Sequence, residues 1–194
     1  MNIKVSTRKD GNMSPLTPEG RENIFKFAEA RNGDIVDVRH TKEDFIIRTG
    51  KTAVVPFADC HPVFVYHEPT QRVIGIHTGW KAVLDGVIHN AVKWIKFPKD
   101  VKPGEIKAWI GPGLMPKSFE VGDDVADQFP SEYIFNIEGK QCLDIASFIL
   151  ARLKEEGITN CVVACEDTLN SEYFSYRTDK KKPVDLNIAV FDWK

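Results

Sequence analysis

The chain has 194 residues, of which 42% are hydrophobic and 28% are charged, and these values are ordinary for a globular protein. The length fits a single domain over residues 1–194, because no repeat, low-complexity segment or linker divides it. The formal net charge of −2 gives no electrostatic reason to expect binding to nucleic acid or to an anionic membrane. No apolar run is long enough to span a membrane, and the N-terminus lacks the apolar core of a secretory signal. We therefore expect a cytoplasmic protein without nucleic-acid or membrane partners, whose oligomeric state the composition leaves open.

The first half of the chain predicts one helix and several strands. Residues 21–31 have a helical pattern that ends at Asn32-Gly33. Alternation in residues 34–40 predicts a strand whose apolar face includes His40, and residues 44–57 predict two strand pieces around Gly50. In residues 62–77, two apolar runs flank the turn-rich segment HEPTQ, which predicts a β-hairpin.

The second half of the chain adds two longer helices. Apolar residues at helical spacing in residues 80–97 predict an amphipathic helix with Thr78 as its N-cap. Residues 145–157 predict another helix that ends at Gly157, and residues 105–113, 160–167 and 186–193 predict strands. Because helices mix with strands that are partly joined by hairpins, an α+β or mixed α/β fold is favoured over a doubly wound parallel sheet.

Cys60 is the cysteine with the clearest chemical context. Cys161 and Cys165 lie on one predicted strand about 13 Å apart, which exceeds the roughly 7 Å limit for a disulfide, so we expect them to be buried small hydrophobes. Cys60 and His77 instead stand at the two ends of the predicted hairpin. A hairpin that runs out from Pro62 and back would bring this thiol and this imidazole together.

Three interpretations of the Cys60–His77 pair stay open. The pair is a buried thiol beside a structural histidine, a nucleophile and base of a metal-free hydrolase, or part of a zinc site. A catalytic zinc needs a third protein ligand. His89 falls on the polar side of its helix, His67 falls in the hairpin turn, and His61 would point away from Cys60, so His40 is the candidate third ligand.

Several segments in order along the chain resemble the YfiH family, which is also called the multicopper polyphenol oxidase or laccase-domain family. They are VSTRKDGNMS, FADCHPVFVY, VIGIHTGWKAVLDGVI, WIGPG followed by SFEVGDDV, LDIASFILARLKEEGI and SEYFSYRTD. The resemblance implies a single YfiH-like domain with a four-layer α/β/β/α fold, shared with the catalytic domain of cytotoxic necrotizing factor. It also implies zinc held by two histidines and one cysteine, with copper as the metal behind the older laccase label.

The activity implied by the resemblance is zinc-dependent purine nucleoside phosphorolysis, with phosphate as co-substrate and a purine nucleoside as substrate. Adenosine deaminase and methylthioadenosine phosphorylase activities would accompany it. Carried over by motif, Cys60 and His77 match metal-binding residues of ADC-x-P and H-x-G-W and would be catalytic, and Arg177 matches an arginine suited to phosphate or ribose. Lys81, after His77, would supply a second cation for phosphate.

The chain is nevertheless a shortened and divergent match to this pattern. Asn32 stands where the family motif Q-V-H-G has its first metal-binding histidine, so His40 would have to replace that ligand. Lys81 stands in place of an arginine, and Gly113 in place of the cysteine of I-G-P-C. Two alternatives therefore stay open beside the phosphorylase: a metal-free hydrolase that uses Cys60 and His77, and a degenerate family member with a binding role only.

Overall fold

The computed structural model describes residues 1–29, 45–96, 101–180 and 185–193 of the chain. The strands are β1 (Asn2–Val5), β2 (Phe45–Thr49), β3 (Ala53–Phe57), β4 (His61–His67), β5 (Arg72–Thr78), β6 (Lys107–Ile110), β7 (Ile134–Ile137), β8 (Lys140–Leu143), β9 (Asn160–Val163) and β10 (Asn187–Asp192). The helices are α1 (Pro18–Ala28), α2 (Trp80–Leu84), α3 (Val87–Ile95), α4 (Asp123–Ala126), α5 (Ile145–Glu155) and α6 (Tyr176–Asp179). The strand predicted over residues 34–40, with His40, and the position of Asn32 lie outside the described residues.

The described strands form two main sheets and a small ribbon. One sheet has the order β1-β10-β3, the second has the order β2-β5-β4-β6-β9, and β7 pairs with β8. Neighbouring strands are antiparallel except for β6 and β9, which are parallel. The predicted hairpin over residues 62–77 is confirmed as β4 and β5, with Pro62 paired to His77.

The alternating side chains of the strands join the sheets and helices into four layers. In β3, Val55 and Phe57 belong to the core that the two sheets share, whereas Val54 packs with Ile24 of α1 on the opposite face. The outer face of the five-stranded sheet is covered by α3 and α5. The order of the layers is therefore α/β/β/α, and the predicted mixed α/β fold is confirmed.

Aromatic side chains fill the space between the two sheets. The fully buried ring of Phe64 lies 5.7 Å from the ring of Trp109 and 5.5 Å from that of Phe191, measured between ring centres. Burying a phenylalanine side chain contributes about 1.5–3 kcal/mol relative to leaving it in water. This layer fixes the hairpin β4–β5 against β10, and so it fixes the ends of the hairpin at which the predicted site residues lie.

The helix predicted over residues 80–97 is wrong in its continuity and in its N-cap. It is two helices, α2 and α3, separated at Gly86, whose φ of 82° is a left-handed conformation that glycine adopts without steric cost. The N-cap of α2 is Gly79, because the hydroxyl of Thr78 donates a 2.5 Å hydrogen bond to the carbonyl oxygen of His61 instead. Because of the break, Trp80 and Lys81 belong to the short helix α2 and not to one long helix.

Three further expectations need correction. The helix α1 begins at Pro18, where the hydroxyl of Thr17 accepts a 3.0 Å hydrogen bond from the Gly20 amide. The strand predicted over residues 160–167 ends at Val163, so Cys165 is exposed rather than buried. His67, which was predicted in the hairpin turn, is the last residue of β4 and is buried. Among the described helices, none has the length and apolar character needed to cross a membrane.

Candidate functional site

A cavity of about 840 Å³ opens at the end of the five-stranded sheet where β4 begins and β5 ends. Five parts of the chain form its wall: the turn between β3 and β4, the residues from β5 into α2, the loop after β6, the start of α5, and α6 with the residue that ends it. Its wall includes Cys60, His77, Trp80, Phe119, Arg177 and Lys180. This volume falls within the roughly 300–1,000 Å³ that is typical of small-molecule sites.

The hairpin register brings Cys60 and His77 together at this cavity. His61 is paired with Thr78 and Pro62 with His77, so the residue before β4 lies beside the end of β5. A Cβ placed on Gly79 would lie 3.5 Å from His77 Cε1 and 3.8 Å from Cys60 Sγ. The thiol and the imidazole therefore border one small space that stays open because residue 79 has no side chain.

Asp59 organises the turn that carries Cys60. Its Oδ2 accepts a 2.8 Å hydrogen bond from the Arg177 amide, and its Oδ1 accepts a 3.0 Å bond from the Thr168 hydroxyl. Its backbone has a φ of 89°, and its carbonyl oxygen accepts a 2.9 Å hydrogen bond from Leu114. Asp59 thus ties the turn to the segment that contains Thr168 and Arg177 through its carboxylate, and to Leu114 through its backbone, and it holds α6 against the cavity.

The two predicted substrate-binding cations have different positions. Arg177 lines the cavity, where its Nη1 donates a 3.0 Å hydrogen bond to the Glu120 carbonyl oxygen and its guanidinium lies 5.5 Å from the Phe119 ring centre. Lys81 is exposed, is not among the residues that line the cavity, and has its Nζ 5.1 Å from the Trp80 ring centre. Lys180, which the sequence analysis did not single out, lines the cavity instead.

Aromatic side chains form another part of the same wall. Trp80, Phe119 and Tyr176 all line the cavity, and Tyr176 is 51% exposed. Planar rings of this kind stack on planar ligands such as nucleobases. The cavity therefore combines a thiol and an imidazole, two cations and stacking surfaces.

Comparison with known proteins identifies the family to which the chain belongs. Residues 26–184 match the family described as multi-copper polyphenol oxidoreductase laccase. The purine nucleoside phosphorylase of Haemophilus influenzae is 33% identical over 153 residues, which cover 73% of this chain and 61% of that protein. The purine nucleoside phosphorylase YfiH of Shigella flexneri is 32% identical over 152 residues, which cover 74% of this chain and 60% of that protein. The chain therefore belongs to the YfiH family.

A solved structure shows the same fold. The hypothetical protein YfiH of Bacillus licheniformis superposes with a TM-score of 0.80 at 21% identity, over 94% of this chain and 85% of that one. The chain spans less than two thirds of the length of the two phosphorylases, at 61% and 60%. Similarity of this kind establishes the family and the fold, and leaves the activity of this YfiH chain to be argued from its own residues.

In this YfiH chain, Gly113 stands where the motif I-G-P-C has its cysteine, and this difference has a structural explanation. His61 is fully buried, with its ring nitrogens 2.7 Å from the Gly111 carbonyl oxygen and 3.2 Å from that of Leu114. A Cβ at Gly113 would lie 2.5 Å from the nearest ring atom of His61, so no side chain fits there. Burial holds the pKa of His61 below its ordinary value, against the opposing effect of the two carbonyl groups. His61 is therefore part of the core beneath the site.

Two of the three predicted metal ligands, Cys60 and His77, lie among the described residues. Cys60 and His77 are donor types that suit zinc, and the open space at Gly79 lies beside both of them. Over the described ranges, no group of three or more His, Cys, Asp and Glu side chains is placed to hold a metal ion. The candidate third ligand His40, and Asn32 at the position of the family histidine, fall in residues 30–44, outside those ranges.

Proposed function

We propose that the cavity is the active site of a zinc-dependent purine nucleoside phosphorylase. The observation that carries this proposal is that Cys60, His77 and Arg177 border one cavity although they come from three separate parts of the chain. The names of the phosphorylase relatives support the substrate class. The volume of about 840 Å³ suits a nucleoside together with phosphate.

The aromatic and cationic side chains of the cavity wall have separate roles in the proposed phosphorolysis. The purine stacks on Trp80 or Tyr176, and phosphate is held by the guanidinium of Arg177, whose planar donors match phosphate oxygens. A phosphate oxygen forms a bond to ribose C1′ while the bond from C1′ to the purine nitrogen breaks. The purine leaves with the bonding electron pair and takes up a proton, giving ribose 1-phosphate and free base. Holding both reactants in one cavity is the main contribution of the protein to the rate.

Cys60 and His77 would hold the zinc ion, and His40 is the proposed third ligand. The thiolate and imidazole donors and the open space at Gly79 fit this assignment. A zinc ion bound there would act as a Lewis acid that polarises a substrate oxygen or activates water for a deaminase side reaction. Copper could occupy the same donors, in keeping with the description of the family as a multi-copper polyphenol oxidoreductase.

Activity assays and metal analysis test this proposal together. The purified protein should convert inosine or adenosine and phosphate to ribose 1-phosphate and base, and should contain zinc. Cys60→Ala and His77→Ala should each lower the rate by roughly 10³-fold, because metal-assisted polarisation is worth several kcal/mol. Cys165→Ala is the matched control, because Cys165 is exposed and is not among the residues lining the cavity. Zinc loss in His40→Ala as well would identify the third ligand.

Two other functions give different results in the same experiments. A metal-free hydrolase using Cys60 as nucleophile and His77 as base would retain activity after removal of metal by a chelator, and a thiol alkylating reagent would label Cys60 first. A protein with a binding role only would bind a nucleoside without turnover. Release of ammonia from adenosine would show that the protein also has adenosine deaminase activity. Absence of zinc and of any turnover with phosphate would overturn the proposal.

A further inference from the structure

The cavity wall contains a cation that neither the motifs nor the relatives assign. Lys180 lines the cavity three residues after Arg177, at the end of the single turn of α6. Its φ of 47° ends the helix in a left-handed conformation. Among the described residues, no carboxylate lies within ion-pair distance of Lys180. Two cations therefore border the same side of the cavity.

The carboxylate nearest in sequence to Lys180 is already engaged by another residue. Arg8 Nη2 donates to both carboxylate oxygens of Asp179 at 2.8 Å, and the Arg8 guanidinium lies 4.7 Å from the Phe174 ring centre. Asp179 also accepts a 3.3 Å hydrogen bond from the Ser175 amide. Burial raises the pKa of Asp179, but the hydrogen bonds from Arg8 and Ser175 hold that pKa below its ordinary value. Asp179 thus stays charged and turned toward Arg8.

The guanidinium of Arg177 is positioned without the use of a charged partner. Its amide is bonded to Asp59 and its Nη1 to a carbonyl oxygen of the backbone, and no carboxylate of the described chain forms an ion pair with it. A carbonyl oxygen orients a guanidinium without forming an ion pair. Arg177 and Lys180 therefore both border the cavity without an ion-pair partner among the described residues, beside the one carboxylate on its wall, that of Asp59.

We propose that Lys180 and Arg177 form an anion subsite for the phosphate co-substrate, and that Arg8 positions this subsite by holding Asp179. The inference rests on the proposed function, because phosphorolysis supplies the anion. A planar guanidinium and a compact ammonium group are complementary donors for phosphate oxygens. Without the ion pair to Arg8, the Asp179 carboxylate could neutralise Lys180 and compete with the phosphate.

A pair of lysine variants tests the subsite. Lys180→Ala should raise the KM for phosphate about tenfold and leave the KM for the nucleoside within about twofold, because one charge-assisted hydrogen bond is lost. Lys117→Ala is the matched control, since Lys117 is exposed and is not among the residues that line the cavity. Calorimetric titration with inorganic phosphate, in chloride at constant ionic strength, should show the same tenfold difference in Kd without any need for turnover.

The positioning role of Arg8 has its own readout. Arg8→Ala should raise the KM for phosphate several-fold without changing the KM for the nucleoside, and Arg8→Lys should restore part of the loss. In an Asp179→Asn background, Arg8→Ala should have little further effect on the KM for phosphate, because the competing charge is already absent. A general loss of folding would instead change both KM values and the thermal midpoint in every Arg8 variant.

The outcomes separate this inference from the proposed function. If phosphate binds the wild type and Lys180→Ala weakens that binding while no nucleoside is phosphorolysed, the subsite stands and the phosphorylase proposal fails. If phosphorolysis occurs and Lys180→Ala behaves like Lys117→Ala, the subsite is wrong and the activity stands. If inorganic phosphate fails to bind the wild type at all, the subsite is also wrong.

Discussion

Two cavities of this molecule differ in how their charged groups are used. The first, at the end of the hairpin, has Arg177 and Lys180 on its wall, and no described carboxylate forms an ion pair with either. Its one acidic lining residue, Asp59, is engaged by the Arg177 amide and the Thr168 hydroxyl. The charge of its cations is therefore left for a ligand.

The second cavity has about 470 Å³ and lies between α3 and α5. Arg152 on its wall is paired with Glu155 at 2.7 Å, and Glu156 is paired with His89 at 2.5 Å and with Lys96 at 3.0 Å. The pairs of Glu156 join the end of α5 to α3, the pair of Arg152 lies within α5, and charges compensated in this way have little left to offer a ligand. Volume alone therefore does not single out a site, and cations without an ion pair beside a thiol and an imidazole are the stronger indication.

The largest effect is expected from filling the space between Cys60 and His77. Gly79→Ala places a methyl group 3.5 Å from His77 Cε1 and 3.8 Å from Cys60 Sγ, and the φ of −60° at this residue is compatible with alanine. The protein should fold normally but bind zinc at least about 100-fold more weakly, because the methyl group occupies the space beside both donors. Zinc content and phosphorolysis would be measured together.

A second glycine provides the control for this experiment. Gly104→Ala adds the same methyl group at a position where nothing lies within 4 Å of the new Cβ, and it should leave zinc content unchanged. Equal zinc binding by the Gly79→Ala and Gly104→Ala proteins would show that the metal does not occupy the space bordered by Gly79.

The next effect concerns the support of the cavity wall. Asp59→Ala should lower the free energy of unfolding by about 2–3 kcal/mol, because two hydrogen bonds to a charged acceptor are lost and alanine is strained at a positive φ. Asp59→Asn keeps an acceptor oxygen and tolerates the left-handed backbone, so about half of that loss is expected. Urea unfolding would measure the loss of stability in both variants. Equal losses below about 1 kcal/mol would contradict the proposed role of Asp59 in supporting the cavity wall.

The sequence predicts the parts of this site that depend on local pattern. Alternation around HEPTQ predicts the hairpin, and the hairpin alone brings Cys60 close to His77. The amphipathic pattern of residues 80–97 predicts helical structure but not the break at Gly86, because apolar spacing continues across it. Lys81 stands near the start of a helix, as predicted, but it is not among the residues that line the cavity.

Other contacts have no local signal at all. Asp59 bonds to the Arg177 amide across 118 positions, and Arg8 bonds to Asp179 across 171 positions. Such pairs depend on how the two sheets and α6 pack, and neither periodicity nor spacing encodes that packing. The family resemblance identified the segment containing Arg177, but Lys180 required the three-dimensional position of the end of α6.

The smallest effect is expected in the second cavity, where Glu156 ties α5 to α3. Burial raises the pKa of Glu156, but hydrogen bonds from His89 and Lys96 outweigh this effect and hold the pKa below its ordinary value of 4.5. A carboxyl group with a lower pKa in the folded state adds stability above pH 4.5, and this contribution is lost as the pH falls through the folded-state value. Glu156→Gln should therefore lower the free energy of unfolding by about 0.5–1 kcal/mol at pH 7 and by much less at pH 3, measured by urea unfolding.

The control is Glu155→Gln, which removes a more exposed carboxyl group on the same cavity wall and should lower the free energy of unfolding less at pH 7. A Glu156→Gln protein that also bound phosphate or nucleoside differently would show that the two cavities are coupled, against the separation of site and structural contact drawn from their charges.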